Sequence, residues 1–144
     1  MRNIIPLVGV DDLRFGMRPN EVRACLGSAL HYEDWMGGNL EDFLFYKGIL
    51  IGFAGDHGGD HPADGSELVI IELHGGQPLS LLGNPIGACT KKQLLHVLVH
   101  HAIPSGELSS TVVSVNKLGL VFTFSDQAVL SRVSVQRLIK PSDA

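Results

Sequence analysis

Two stretches of this chain match each other at a constant spacing. Lys47-Gly48-Ile49-Leu50-Ile51-Gly52-Phe53 is matched by Lys117-Leu118-Gly119-Leu120-Val121-Phe122-Thr123-Phe124, with Gly48 against Gly119 and Phe53 against Phe124 at an offset of 71. Gly16 and Gly87, each ahead of a helix signal, are also 71 apart. A repeat constrains the fold strongly, because both copies must make the same local structure and then share a core. The spacing predicts a single domain over residues 1–144, made of two structural repeats of about 10–75 and 82–139. A chain of 144 residues is long enough to bury such a core without a disulfide or a metal.

Each repeat reads as a helix followed by strands. In the first, Pro19 suits the opening turn of a helix, where its missing N–H has no helical partner. Val22, Cys25 and Leu26 follow on one helical face, and Gly27 is placed to end the helix. In the second, Thr90-Lys91-Lys92-Gln93 has the form of a capping box, and Pro104 and Gly106 mark the stop. Strands are expected from Phe43 to Phe53 around a Lys47-Gly48 turn, and from Leu68 to Leu73. Their counterparts are Thr111–Val115, Leu118–Phe124 and Val129–Leu138. Ile71 aligns with Val133 at an offset of 62, so the first repeat carries nine extra residues, which fall on the Asp/His/Gly-rich loop after Phe53. The expected fold class is α+β: a tandem helix-plus-antiparallel-strands repeat forming one sheet, with helices on one face.

Charge divides the chain. Residues 1–75 carry −7 and residues 76–144 carry +3, within a total of −4. An acidic face repels nucleic acid and attracts basic proteins. The only basic run is Lys91-Lys92, so nucleic acid is not an expected partner. No apolar run reaches the ~18 residues of a membrane span, so no membrane partner is expected either. The opening residues lack a signal-peptide core, and two distant cysteines, Cys25 and Cys89, suit a reducing compartment. Cytoplasmic localisation is the expectation.

Two polar clusters invite chemistry. Asp56, His57, Asp60, His61 and Asp64 alternate in the inserted loop, and carboxylates with imidazoles are metal ligands. Metal binding by Asp56, His57, Asp60 and His61 is the alternative reading, as a metal carrier or a metal-dependent enzyme. The glycines of the loop favour a solvated hairpin instead, and no cofactor is expected. His96 and His100 share a helix face, but Val97 stands where a zinc protease would need glutamate. There is no Gly-x-Ser-x-Gly elbow or phosphate-binding loop, Cys25 reads as a packed thiol, and the chain is not expected to be an enzyme.

A binding reading centres on Tyr32-Glu33-Asp34-Trp35 and on Glu41-Asp42. Tyr and Trp are enriched at interface hot spots, and flanking carboxylates steer a basic partner. Phe15-Gly16-Met17-Arg18-Pro19-Asn20-Glu21-Val22, with Leu26-Gly27, resembles a helix opening found in three bacterial groups. These are small envelope-lipoprotein domains, tandem-repeat β-lactamase inhibitory proteins, and small immunity proteins encoded beside polymorphic toxins. The chain departs from the first two in lacking a leader, a lipid-attachment cysteine and paired cysteines. The resemblance therefore implies a cytoplasmic immunity protein that occludes the active site of a cognate, basic toxin. Pairing of sheet edges into a homodimer is left open.

Overall fold

The computed structural model describes residues 1–33, 42–55 and 61–138. Strands β1 (Arg2–Ile5), β2 (Gly9–Val10) and β3 (Leu13–Arg14) lead into helix α1 (Pro19–Leu26). Four strands follow: β4 (His31–Glu33), β5 (Asp42–Tyr46), β6 (Ile49–Ala54) and β7 (Glu67–His74). The order then recurs. The hairpin β8 (Leu79–Leu81) and β9 (Asn84–Pro85) precedes α2 (Lys91–His100). Strands β10 (Gly106–Ser109), β11 (Val112–Val115), β12 (Leu120–Phe124) and β13 (Leu130–Gln136) follow, with a 3-10 turn at Asn116–Leu118 between β11 and β12.

The fold is α+β and mostly strand, but it has two sheets where one was expected. Eight strands form an antiparallel sheet in the order β10-β11-β12-β13-β7-β6-β5-β4. The second sheet, β3-β2-β1-β8-β9, is joined at its centre by a parallel pairing of Arg2–Ile4 with Leu79–Leu81. Its strands have only two to four residues, too few for an alternating pattern to register. The central pairing also links residues 77 apart, such as Asn3 and Ser80, so no local signal announces it.

Registers in the large sheet run in parallel between the halves. Ile49 pairs with Leu73, and Leu120 with Val135. A bulge interrupts the first pairing between Gly52 and Phe53 and the second between Thr123 and Phe124. The two four-strand meanders meet at β7 and β13, where Glu72 pairs with Ser134, Leu73 with Val133 and Ile71 with Val135. Across that junction Gly75 N–H donates to the Ser131 carbonyl at 2.8 Å, and Arg137 N–H donates to the Val69 carbonyl at 2.9 Å. The pairing therefore reads the same in both directions about Glu72 and Ser134.

Successive strand side chains point to opposite faces. One face carries Leu44, Ile49, Ile51, Ile71, Leu73, Val113, Val115, Leu120, Phe122, Val133 and Val135, all buried. Val22 of α1, Leu94 and Leu98 of α2, and Ile4, Leu79 and Leu81 of the small sheet join the same cluster. Each fully buried aliphatic or aromatic side chain contributes about 1.5–3 kcal/mol.

Both helices start as their residues dictate. Pro19 opens α1, and the Glu21 carboxylate accepts the Arg18 N–H at 3.0 Å. In α2, Thr90 Oγ1 accepts the Gln93 N–H at 3.2 Å and Gln93 Oε1 accepts the Thr90 N–H at 2.9 Å. Tyr46 ties the end of α1 to the sheet by donating its hydroxyl to the Gly27 carbonyl at 3.0 Å. Cys25, expected in the packed stripe, is exposed instead. At 100° per residue the buried positions of this eight-residue helix, Pro19 and Val22, lie with Leu26 on an arc that excludes Cys25.

Candidate binding face

The same alternation that buries Leu44, Ile51 and Ile71 turns their neighbours to the opposite face of the large sheet. There Phe45, Leu50, Glu72, Ser134, Val121 and Ser114 follow one another in cross-strand register. A second row runs through Phe43, Gly52, Ile70 and Gln136. Phe43, Phe45, Leu50, Ile70 and Val121 are half-buried.

Gly52 leaves room for its cross-strand neighbours on this surface. A Cβ there would come within 2.9 Å of Phe43 Cε1 and 3.4 Å of Ile70 Cβ. The Phe43 ring thus rests over the glycine backbone, beside Ile70. At the edge of the sheet the His31 and Phe45 rings pack with centroids 5.4 Å apart. Toward the middle, Glu72 and Arg132 approach at 4.0 Å, an outer-limit ion pair of little energetic weight.

The residues singled out from sequence are distributed differently. Tyr32 donates its hydroxyl to Asp42 at 2.9 Å. Asp42 is 4% exposed, so it sits inside the sheet edge rather than on an acidic surface. Both side chains point to the core face, because Tyr32 pairs with Leu44 and Asp42 lies two residues from it. Glu33 pairs with Phe43 at the end of β4. Asp34, Trp35 and Glu41 lie outside the described residues, as do Asp56, His57 and Asp60. His61 is described and exposed. Among the described residues no group of three or more His, Cys, Asp or Glu side chains is placed to hold a metal.

The α2 histidines are exposed. The His100 and His101 rings meet edge to face at 5.3 Å, and His101 Nε2 lies 3.3 Å from the Asn84 side-chain amide. Cys89 is buried, and that burial raises its thiol above the ordinary range, despite an opposing backbone hydrogen bond. A raised thiol is the reverse of what an activated nucleophile needs. It lines, with Ile86, Leu95, His96 and Val99, a shallow apolar cleft of about 860 Å³ along α2. Desolvation likewise raises the Tyr46 phenol, with the Arg23 charge acting in the opposite direction.

Phe45, Leu50 and Ile70 were not singled out from sequence. Both parities of Asp42–Tyr46 and Ile49–Ala54 contain apolar side chains, so alternation alone does not separate an outward row from a core row. No helix among the described residues is long and apolar enough to cross a membrane. Comparison with family models, curated proteins and solved structures found no match to this chain.

Proposed function

We propose that this chain is a protein-binding inhibitor of the immunity type, which neutralises a cognate bacterial toxin in the cytoplasm by binding rather than catalysis. In this reading the two helices and the small sheet cover one face of the large sheet, and the toxin docks on the other. The observation that carries it is the half-buried aromatic and aliphatic shelf of Phe43, Phe45, Leu50 and Ile70, seated on the face of the antiparallel sheet opposite the core. Such a shelf supplies apolar contact area, whose removal from water drives most protein association.

Size supports the reading. Eight strands span about 34 Å at the usual strand spacing, and five residues rise about 17 Å, giving on the order of 600 Å² in projection. A stable interface takes about 800 Å² of accessible surface per partner, so the face and its rim suffice. The strands flanking residues 34–41 carry His31, Phe43 and Phe45 of this face. The acidic first half would speed association with a basic toxin.

The test is inhibition of the toxin encoded beside this gene. Wild-type protein should abolish its activity at equimolar ratio, and Leu50→Asp should weaken binding at least thirtyfold by calorimetry, the loss expected of a hot spot. Val121→Asp, in the polar half of the face, should weaken it less than fivefold. Full inhibition by Leu50→Asp would exclude this face as the docking surface.

A further inference from the structure

The outward face also contains a small polar recess that the apolar shelf does not use. Strand registers place Arg132 between His74 on β7 and Thr123 on β12. With Ser131 these three line a cleft of about 520 Å³. Among the described residues no carboxylate lines it.

Two side chains of this cleft, His74 and Thr123, have hydrogen-bonding capacity that no described residue takes up. The Ser131 hydroxyl donates to the Thr123 carbonyl at 3.1 Å, which fixes the bulge beneath the cleft. The His74 ring and the Thr123 hydroxyl have no hydrogen-bond partner among the described residues. The Arg132 side chain is 51% exposed, and among the described residues its one ionic partner is Glu72, at 4.0 Å, beyond hydrogen-bonding distance. An oxyanion between Arg132 and His74 would accept charge-assisted hydrogen bonds from the guanidinium and a further hydrogen bond from an imidazole N–H.

We propose that Arg132, His74 and Thr123 form an oxyanion-binding site for a carboxylate or phosphate group. Arg132 presents its forked N–H pair, and the His74 ring N–H and Thr123 hydroxyl bond the remaining oxygen lone pairs. The inference deepens the docking reading, on which it rests for its biological use: on that face the site would receive a carboxylate or phosphate group of the bound partner. The binding itself is a property of the isolated chain.

The test is an amide NMR titration of the full chain with sodium phosphate and, separately, sodium acetate, both at constant ionic strength. Saturable shifts confined to residues 74, 123, 131 and 132 are expected, with a free-ion affinity on the order of millimolar for so exposed a site. Arg132→Gln should weaken the affinity about tenfold or more, and Thr123→Val should weaken it less while leaving the rest of the spectrum in place. Saturation by both salts supports a general oxyanion site that accepts a partner's carboxylate. Saturation by phosphate alone supports a phosphate-bearing ligand. Linear shifts with both salts, or an identical curve for Arg132→Gln, would overturn the proposal. The docking reading fails separately, through retained inhibition by Leu50→Asp.

Discussion

Seen from the core, β4–β7 and β10–β13 present the same kind of surface. Ile49, Ile51 and Phe53 on β6 face inward and are buried, as are Leu120, Phe122 and Phe124 on β12. Even the bulges fall at matching places, before Phe53 and before Phe124. From outside the halves part company. The first carries Phe43, Phe45, Leu50 and Ile70 beside Glu72 and His74, and the second carries Val112, Val121 and Thr123 with the buried Ser114 and Ser134 between them. A shared core holds inward side chains to one shape, because packing there is as dense as in a crystal. Nothing in that packing restricts the outward residues, so the large aromatic and aliphatic side chains gather on β5 to β7 while small and polar ones are commoner on β11 to β13.

The most severe way to break the comparison is at its strongest match. Phe53→Ala and Phe124→Ala should each cost about 3–5 kcal/mol, since both rings are almost fully buried. Urea unfolding should show one transition in each variant, with similar losses. Two separate transitions would show that the half-sheets do not share a cooperative core.

A sharper contrast lies in the turns that join β5 to β6 and β11 to β12. Gly48 and Gly119 both adopt positive φ, 75° and 65°. An added Cβ at Gly119 would collide with the Gln136 carbonyl on β13, whereas at Gly48 it would meet the Gln77 side-chain amide at 3.0 Å. A carbonyl in a ladder cannot move aside, whereas the glutamine side chain can, with loss of its hydrogen bonds to the Gly48 and His74 carbonyls. Gly119→Ala should therefore cost about 2–5 kcal/mol from strain and overpacking together, and Gly48→Ala less, about 1–3 kcal/mol from backbone strain and the weakened Gln77 contacts. Thermal denaturation of the pair would read the difference, and equal losses would remove the argument.

The smallest expected effect separates the helices. Thr90→Ala deletes a side-chain acceptor from a complete capping box and should cost about 1 kcal/mol. The α1 start has Arg18, whose side chain has no acceptor, so only Glu21 contributes there. Glu21→Ala should cost about 0.5 kcal/mol, measured by the same denaturation. A larger loss at Glu21 would mean that the α1 cap depends on contacts beyond the Arg18 N–H.

Local signals in the chain were informative where the governing interaction is local. Pro19, Gly27 and the Thr90–Gln93 box mark helix ends because the groups that satisfy a helix terminus lie within four residues of it. The Lys47-Gly48 turn and the strands on either side follow for the same reason. Cys25 was misplaced because the buried arc of α1 runs from Pro19 past Leu26 to Val22 and ends short of it. Asp42 was expected on the partner surface. It is buried because β4 brings the Tyr32 hydroxyl to it, an encounter between strands that composition does not reveal.

By itself, then, the amino-acid order determined the two helices, the longer strands and the spacing at which the halves match, all consequences of hydrogen bonding and packing over a few residues. Tertiary structure alone decided three other things: the second sheet, the Glu72–Ser134 junction between the meanders, and the face on which Phe45, Leu50 and Arg132 emerge. Each depends on pairing between residues tens of positions apart. In β5 and β6, where both parities contain apolar side chains, only the partner strand and what packs behind it choose the side that is buried.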